Sequence, residues 1–406
     1  MQQQIFAFEK NHTWDVTPLP LGKRPIGCKW VFKLKMRDDG SVERCKARLV
    51  AKGFSQIERV DYADCFSPFT KAVTMSLFLP ISSTFSWPLH QLDVNNAFLH
   101  AHDHYLFAEG AGDDFIALLI YVDDVLITSL SSILIAEVKT YLDDLFTTKD
   151  LGLARYFLGL QMARSSIGTS LTQAKYVQDI LSDTGLQNAK AATTPLPQGI
   201  KLCATGRTTL SDPEPYRRVV GRLLYMGFTR PDISYGVQQF SQFLQCPCES
   251  HWQAALHVVR YLKGTPNTCL FFPSSNSLKL QAYYDADWAS CLDSRRSVTD
   301  FCVFLGNVLI SRKTKKRATI SRSSAEAEYH SMGATVCELQ WISYLLRDFG
   351  LPVHTPIPMF CDNRATIHIM ANPVFHERTK HLDIDCYIVH NQYKQDSVAP
   401  SFVRST

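Results

Sequence analysis

Two adjacent aspartates, Asp123 and Asp124, stand between apolar β-rich runs in Phe115-Ile-Ala-Leu-Leu-Ile-Tyr121-Val-Asp-Asp124-Val-Leu-Ile-Thr128. Like charges between greasy strands are costly unless a cation neutralises them. A tight hairpin presenting both carboxylates to a divalent metal gives that cost a chemical use. A second acidic set lies far along the chain. Asp285 and Asp287 close the alternating run Leu278-Lys-Leu-Gln-Ala-Tyr-Tyr-Asp-Ala-Asp287. The alternation puts Leu278, Leu280, Ala282 and Tyr284 on one face and both acids on the other. Ser323-Ser-Ala-Glu326 fits a capping box, with Ser323 as N-cap and Glu326 reaching back to its amide. Glu328 instead opens the helical stripe Glu328, Met332, Val336, Leu339, Ile342, Leu346, whose apolar members face a core. A glutamate there meets a metal, or it is a partly exposed residue favoured by the helix dipole. Asp362 ends the strand Pro358-Met-Phe-Cys-Asp362, Asn363 can cap the next turn, and His381-Leu-Asp-Ile-Asp385 offers further carboxylates on a helix. Four carboxylates from separated elements can bind two magnesium ions. One ion activates water and the other stabilises the leaving oxygen of an in-line phosphoryl displacement.

Other motifs are weighed against plainer roles. Asp93, at the exit of the strand Leu89-His-Gln-Leu-Asp-Val94, is placed where active-site carboxylates are often held, but alone it is also an ordinary turn aspartate. Lys46, Arg48 and Lys52 share one side of a ribbon, as a solvated sheet face would. Arg312-Lys-Thr-Lys-Lys-Arg317 has five basic residues in six, with Arg295-Arg296 upstream. Beside an acidic metal site such a patch suits a phosphate backbone, while a nuclear-import signal and a solvated turn are competing readings. His376, His381, Cys386 and His390 have zinc-ligand types, but their spacing lacks a short Cys-x2-Cys knuckle, so structural zinc ranks below helix packing.

The elements that must position these residues follow from pattern and composition. The chain of 406 residues, 46% hydrophobic and 20% charged, fits two or three folded domains rather than disorder. Its net charge of +4 permits a nucleic-acid partner without implying one. Twelve scattered cysteines read as a reducing compartment. The longest apolar stretch, Phe115 to Val122, is too short to span a membrane, and the first residues lack signal-peptide order. The expected fold class is α/β and α+β, in several domains. A β-ribbon over 25–53 turns at Asp39-Gly40. Residues 131–190 read as a helix, a loop, a strand around Tyr156–Met162 and a helix near Gln173–Leu181. Thr193 to Pro215, with prolines at 195, 197, 213 and 215, reads as a linker or long loop. Residues 216–263 are mainly helical with a break at Arg230-Pro-Asp-Ile233, and a final unit starts near Leu278 with a hairpin hinged at Gly306-Asn307.

An ordered series of longer words runs through the chain: Ile26-Gly-Cys-Lys-Trp-Val-Phe-Lys33, Lys46-Ala-Arg-Leu-Val-Ala-Lys-Gly-Phe54, Gln91-Leu-Asp-Val-Asn-Asn-Ala-Phe-Leu99, Tyr121-Val-Asp-Asp124, Thr229-Arg-Pro-Asp-Ile-Ser234, Asp285-Ala-Asp-Trp288, Ser323-Ser-Ala-Glu-Ala-Glu-Tyr329 and Cys361-Asp-Asn363. This series resembles the Pol polyprotein of Ty1/copia-type LTR retrotransposons over almost the whole length. The resemblance implies an incomplete reverse-transcriptase fingers and palm with the YVDD hairpin over 12–192, a linker and helical thumb- or connection-like region over 193–277, and a ribonuclease H-like mixed sheet with helices over 278–406. It implies that Asp93, Asp123 and Asp124 are the polymerase metal acids. Lys46 and Arg48 resemble the residues that meet nucleotide phosphates. Asp285, Glu328, Asp362 and Asp383 resemble the ribonuclease H quartet, with Asp385 close enough to Asp383 to compete for the fourth place. The implied cofactor is Mg2+ at two-metal sites, with Mn2+ as a substitute. The implied partners are RNA, DNA and their hybrid, with no membrane, and the implied setting is cytoplasmic, particle-associated or nuclear.

The departures from the family pattern are equally specific. After His100 the family's Ser-Leu-Tyr-Gly-Leu-Lys-Gln-Ala-Pro-Arg-like pocket motif is missing, and the chain reaches Phe115 directly. The expectation is an internally deleted and truncated Pol fragment whose polymerase activity is lost and whose ribonuclease H part is more complete. Asp300 stands where glycine is usual in the family, and Arg312 where tryptophan is usual. The different-class alternative is a catalytically silent nucleic-acid-binding remnant.

Overall fold

A computed structural model describes residues 5, 18–19, 25–36, 41–53, 71–94, 105–146, 148–200, 202–204, 208–371 and 383–404. In chain order the elements are β1 (Cys28–Met36), β2 (Val42–Ala51), α1 (Ala72–Thr84), β3 (Leu89–Val94), β4 (Leu106–Glu109), β5 (Ile116–Tyr121), β6 (Asp124–Ser129), α2 (Ser132–Leu145) and β7 (Thr148–Leu153). Next come β8 (Tyr156–Phe157), β9 (Leu160–Ser165), β10 (Gly168–Thr172), α3 (Ala174–Thr184), α4 (Glu214–Met226), α5 (Ser234–Ser241), α6 (Glu249–Gly264) and β11 (Leu270–Pro273). The last are β12 (Leu280–Asp287), β13 (Val298–Leu305), β14 (Val308–Lys316), α7 (Ser324–Asp348), β15 (Ile357–Cys361), α8 (Arg364–Ala371), α9 (Asp383–Lys394) and β16 (Val398–Phe402). The architecture is mixed α/β in several parts, consistent with a reverse-transcriptase and ribonuclease H-like plan.

The chain divides into two compact units. One is built within Met1–Thr70 and Pro88–Ala154, the other within Lys71–Trp87 and Arg155–Thr406. The first holds the β1–β2 ribbon and a five-stranded sheet ordered β4-β5-β6-β3-β7. Alternation along β3, β5 and β6 aims Leu92, Val94, Ile116, Val125 and Ile127 at one face, where Ile135 of α2 covers them. The β5–β6 hairpin pairs Tyr121 with Asp124, leaving Val122 and Asp123 as a two-residue loop. Val122 has a φ of 53°. A β-branched side chain in that region is strained, so its neighbours over-determine the turn.

The second unit contains two sheets and a helical core. Strands β8 to β11 form a sheet ordered β11-β10-β9-β8. Periodicity anticipates one strand in this region, whereas the structure has four, because each is short and β11 pairs with β10 from far along the chain. Among the described residues, the break between α3 and α4 contains no helix or strand, as the prolines require. It is not free of the core, however: Leu196, Ile200, Leu202 and Leu210 pack against Val219, Leu223, Val237 and Val258. Arg230, 1% exposed, ties this core together. Its guanidinium donates to both carboxylate oxygens of Asp232 at 3.0 and 2.7 Å and to Thr265 at 2.9 and 2.8 Å.

The C-terminal sheet is ordered β14-β13-β12-β15-β16. β12, β13 and β14 are antiparallel, with the β13–β14 hairpin turning at Gly306-Asn307 as the sequence indicates, while β12 with β15 and β15 with β16 run parallel. The parallel register between β12 and β15 is Ala282 with Met359 and Tyr283 with Phe360. The acids lie just past that register, at the carboxyl ends where ligands of parallel strands commonly sit.

Candidate metal centre

Each acid of the C-terminal cluster arrives by a local rule. Asp285 falls on the exposed side of β12, whose buried side carries Leu280, Ala282 and Tyr284. Asp362 follows β15 immediately, and Asn363 then accepts the Thr366 N–H at 3.2 Å to start α8. Glu328 lies one turn into α7, on the stripe whose other members, Met332, Val336, Leu339, Ile342 and Leu346, are all buried. The result is a grouping in which one oxygen from each of Asp285, Glu328 and Asp362 lies within 4.8 Å of the others. Among the described residues it is the one such group of three metal-ligating side chains.

The electrostatics of this group call for positive charge. Glu328 is 5% exposed. One of its oxygens accepts the Ala286 N–H at 3.3 Å, and the other, Oε2, finds no hydrogen-bond partner among the described residues. Burial, then the neighbouring charge of Asp285, and finally Asp362 push the Glu328 carboxyl up to about 8. Asp287 is also raised, by burial and by Asp285. An orphaned buried carboxylate oxygen beside two further carboxylates is a hard-oxygen donor set of the kind magnesium takes. The residues present therefore fit a divalent cation.

The two nearby glutamates have different tasks. Ser323 accepts the Glu326 N–H at 3.1 Å, which is half of the expected capping box. The other half lands one residue earlier, because Glu326 Oε2 accepts from the Arg322 amide at 2.8 Å rather than from Ser323. Glu326 Oε1 also lies 3.8 Å from His330 Nε2. The opposite ring nitrogen of His330 meets Asp385 Oδ2 at 2.5 Å. Asp385 is thus engaged in joining α7 to α9. The side chain of Asp383, its competitor for the fourth acidic place, lies outside the described residues, as do His376 and His381. Sequence pattern gives no sign of the His330–Asp385 pair: it offers Asp385 as a carboxylate for the cluster, and nothing local marks His330 as its partner.

Asp300 shows what a departure from a family pattern becomes in space. It pairs directly with Asp285 across β12 and β13 and with Thr314 across β13 and β14. Thr314 Oγ1 donates to its carboxylate. Burial and the charge of Asp287 nevertheless hold Asp300 above the usual carboxylate range. Arg312 has turned to donate to the Pro231 carbonyl, so this member of the basic run is used to hold β14 to the helical core.

In the first unit, Asp93 pairs directly with Asp124 across β3 and β6. The Asp123 carbonyl accepts the Val94 N–H at 2.6 Å, and Gln91 donates to Asp124 Oδ1 at 3.2 Å. The sheet therefore carries all three acids to one end, although they do not form a group within 4.8 Å like that of the C-terminal sheet. Lys46 and Arg48 occupy β2 opposite Lys33 and Val31. Their side chains lie outside the described residues.

Comparison with known proteins converges on the same assignment. A family model described as reverse transcriptase (RNA-dependent DNA polymerase) matches in two segments, residues 11–105 and 101–198. The chain is 38% identical over 456 positions to the retrovirus-related Pol polyprotein from transposon RE1 of Arabidopsis thaliana, covering 98% of this chain and 31% of that protein. It is 32% identical over 465 positions to the Pol polyprotein from transposon TNT 1-94 of Nicotiana tabacum, covering 98% and 35%. It is 35% identical over 243 positions to a Saccharomyces cerevisiae protein named for transposon Ty5-1, covering 59% of this chain and 79% of that one. The chain spans about a third of the length of the plant polyproteins it matches. With this ordered set of motifs and these relatives, the chain belongs to the Ty1/copia-type retrotransposon Pol polyprotein family, in its reverse transcriptase and ribonuclease H region.

Proposed function

We propose that this chain is a Pol fragment that cuts the RNA strand of an RNA–DNA hybrid with divalent magnesium and has lost RNA-directed DNA synthesis. The observation that carries the reading is the close approach of Asp285, Glu328 and Asp362, with a buried Glu328 oxygen that has no protein donor among the described residues. Those three side chains would hold the metal, and Asp383 is assigned the fourth position. Magnesium, when held there, supplies the positive charge that makes bound water nucleophilic and stabilises a leaving oxygen. The Ala286 N–H fixes one Glu328 oxygen, and the other has no hydrogen-bond partner among the described residues. Asp93, Asp123 and Asp124 are assigned as the remnant polymerase acids, and Lys46 and Arg48 as their nucleotide-phosphate contacts. The domain reading is reverse transcriptase over 12–192, connection over 193–277 and ribonuclease H-like over 278–406.

The test is cleavage of a hybrid whose RNA strand is end-labelled, in magnesium and in EDTA. The expected result is magnesium-dependent cutting of the RNA strand alone, lost in D285N and D362N. A second reading, a catalytically silent nucleic-acid-binding remnant, is favoured by the Asp300 carboxylate set directly beside Asp285. Hybrid binding by the folded parent with no cleavage in magnesium or manganese would establish that reading instead.

A further inference from the structure

The basic run is expected to lie beside the acids, but alternation puts only part of it there: Arg312 and Lys316, paired with Cys302 and Val298, share the face of Asp300, and Lys313 and Lys315 do not. In an antiparallel ladder, directly paired residues point to the same face. Asp285, Asp300 and Thr314 are in line and share one face of the C-terminal sheet. Lys313 and Lys315 pair with Phe301 and Thr299, so they point to the opposite face, where α7 packs. Beside α7 on that face is an open groove of about 500 Å³. Five cationic residues line it, Arg296, Lys313, Lys315, Lys316 and Arg317, and no carboxylate or aromatic side chain does. The Arg317 N–H donates to the Ser297 carbonyl at 2.9 Å, which fixes the loop before β13 against the end of β14.

The groove also holds a buried hydroxyl. Thr299, 6% exposed, lines it. Its Oγ1 finds no hydrogen-bond partner among the described residues, and neither does the buried Nε of Arg317. Buried polar atoms ordinarily have partners, so an unmatched hydroxyl and guanidinium nitrogen beneath a ring of cations indicate an anion with acceptor oxygens. The lack of an aromatic lining argues against base stacking and for contact with the backbone alone. Position along the sheet selects the ligand. Thr314 lies two strands from Asp285, roughly 10 Å away, and Lys313 and Lys315 flank it on the other face.

We infer that this groove is a second nucleic-acid contact, one that holds backbone phosphates without metal and without regard to base sequence. The nature of its occupant rests on the hybrid-cleavage reading, but its binding does not depend on the acids. A chain with no surviving catalysis would still hold nucleic acid through it.

The experiment is fluorescence polarisation of the full chain with a labelled RNA–DNA hybrid in EDTA, over a series of salt concentrations. K313A/K315A removes two exposed charges. It should weaken binding about tenfold near physiological salt and lower the salt slope by about two, one phosphate contact per lysine. T299V, which removes only the hydroxyl, should weaken binding several-fold with the slope unchanged. K279A, at the other end of β12, should change nothing. Equal affinity of K313A/K315A and the parent, or an equal loss in K279A, overturns the groove while leaving the cleavage reading intact. Groove-dependent binding with no magnesium-dependent cutting retains the groove and removes the nuclease. Failure of the parent to bind any nucleic acid, or tighter binding to anionic lipid vesicles than to the hybrid, overturns the groove as a nucleic-acid site.

Discussion

Glu326 and Glu328 lie two positions apart on α7, yet their surroundings give them opposite tasks. Glu326 accepts the Arg322 amide and adjoins His330, so its role is to begin the helix. Glu328 is buried with one oxygen unmatched among the described residues, beside two further carboxylates. E328Q should therefore abolish hybrid cleavage, while E326Q should retain most of it in proteins with matched melting curves. A dead E326Q beside a fully active E328Q would reverse the assignment. The raised Glu328 carboxyl also makes a prediction about stability. Its value of about 8 lies above its ordinary 4.5. The folded state therefore holds a proton that the unfolded state releases at lower pH. That contribution is fully present below about pH 4.5 and is lost as the pH rises through about 8. Metal-free parent should lose stability across this interval relative to E328Q, which has no proton to release. Magnesium should restore stability at the alkaline end, because a cation replaces the proton. Parallel pH profiles for parent and E328Q in EDTA would show that the buried carboxylate is not the group responsible.

At the scale of elements, the most consequential polar contact away from the acids is the Arg230 anchor. Burial alone would raise the Asp232 carboxyl, but hydrogen bonds from Arg230 and Tyr261 hold it below its usual range. R230A would leave a cavity where a fully buried side chain stood and would strip Thr265 of two donors, while the Asp232 carboxylate, whose side chain is 33% exposed, keeps Tyr261 and water. A loss of about 2–5 kcal/mol is expected, the cost of truncating a large buried side chain. S323A, which removes a single N-cap acceptor on α7, should cost only about 1 kcal/mol. Thermal melts of both variants give the ranking directly, and equal midpoints would contradict it. The same contrast shows what sequence reveals. The strand that carries Asp285 and the one that leads into Asp362 were legible because alternation fixes their buried faces, and the Glu328 stripe because helical spacing does. The Arg230 anchor was legible only as the motif word Thr229-Arg-Pro-Asp, since its acceptor Thr265 lies 35 residues away. The β8–β11 sheet was hidden for a similar reason: its strands are two to six residues long and its last pairing is remote. The split of the basic run between two faces was in principle readable from alternation. The commitment of Arg312 to Pro231 was not, because nothing local marks that partner.

For the whole molecule, the decisive quantity is what the chain lacks between two segments that it retains. Alignment with the RE1 polyprotein extends over 456 positions but uses about 398 residues of this chain, so about 58 positions have no counterpart here. The reverse-transcriptase match breaks in two where residues 101–105 belong to both segments. This is where the pocket motif is missing from the sequence. The sheet tolerates the loss, since β3 still pairs with β6 and brings Asp93 opposite Asp124. Catalysis should be less tolerant. Holding reactants in place can supply about 7–11 kcal/mol of the lowered barrier, and acids without pocket walls forfeit that share. Purified chain should therefore extend a primed RNA template negligibly in magnesium and all four deoxynucleotides, even where the same preparation binds the hybrid. Reinsertion of the corresponding RE1 segment after His100 should restore measurable extension, dependent on Asp123 and Asp124, if the retained sheet is otherwise competent. Vigorous synthesis by the unmodified chain that disappears in D123A/D124A would show that the remaining residues build a sufficient pocket and that the shortened link is no obstacle.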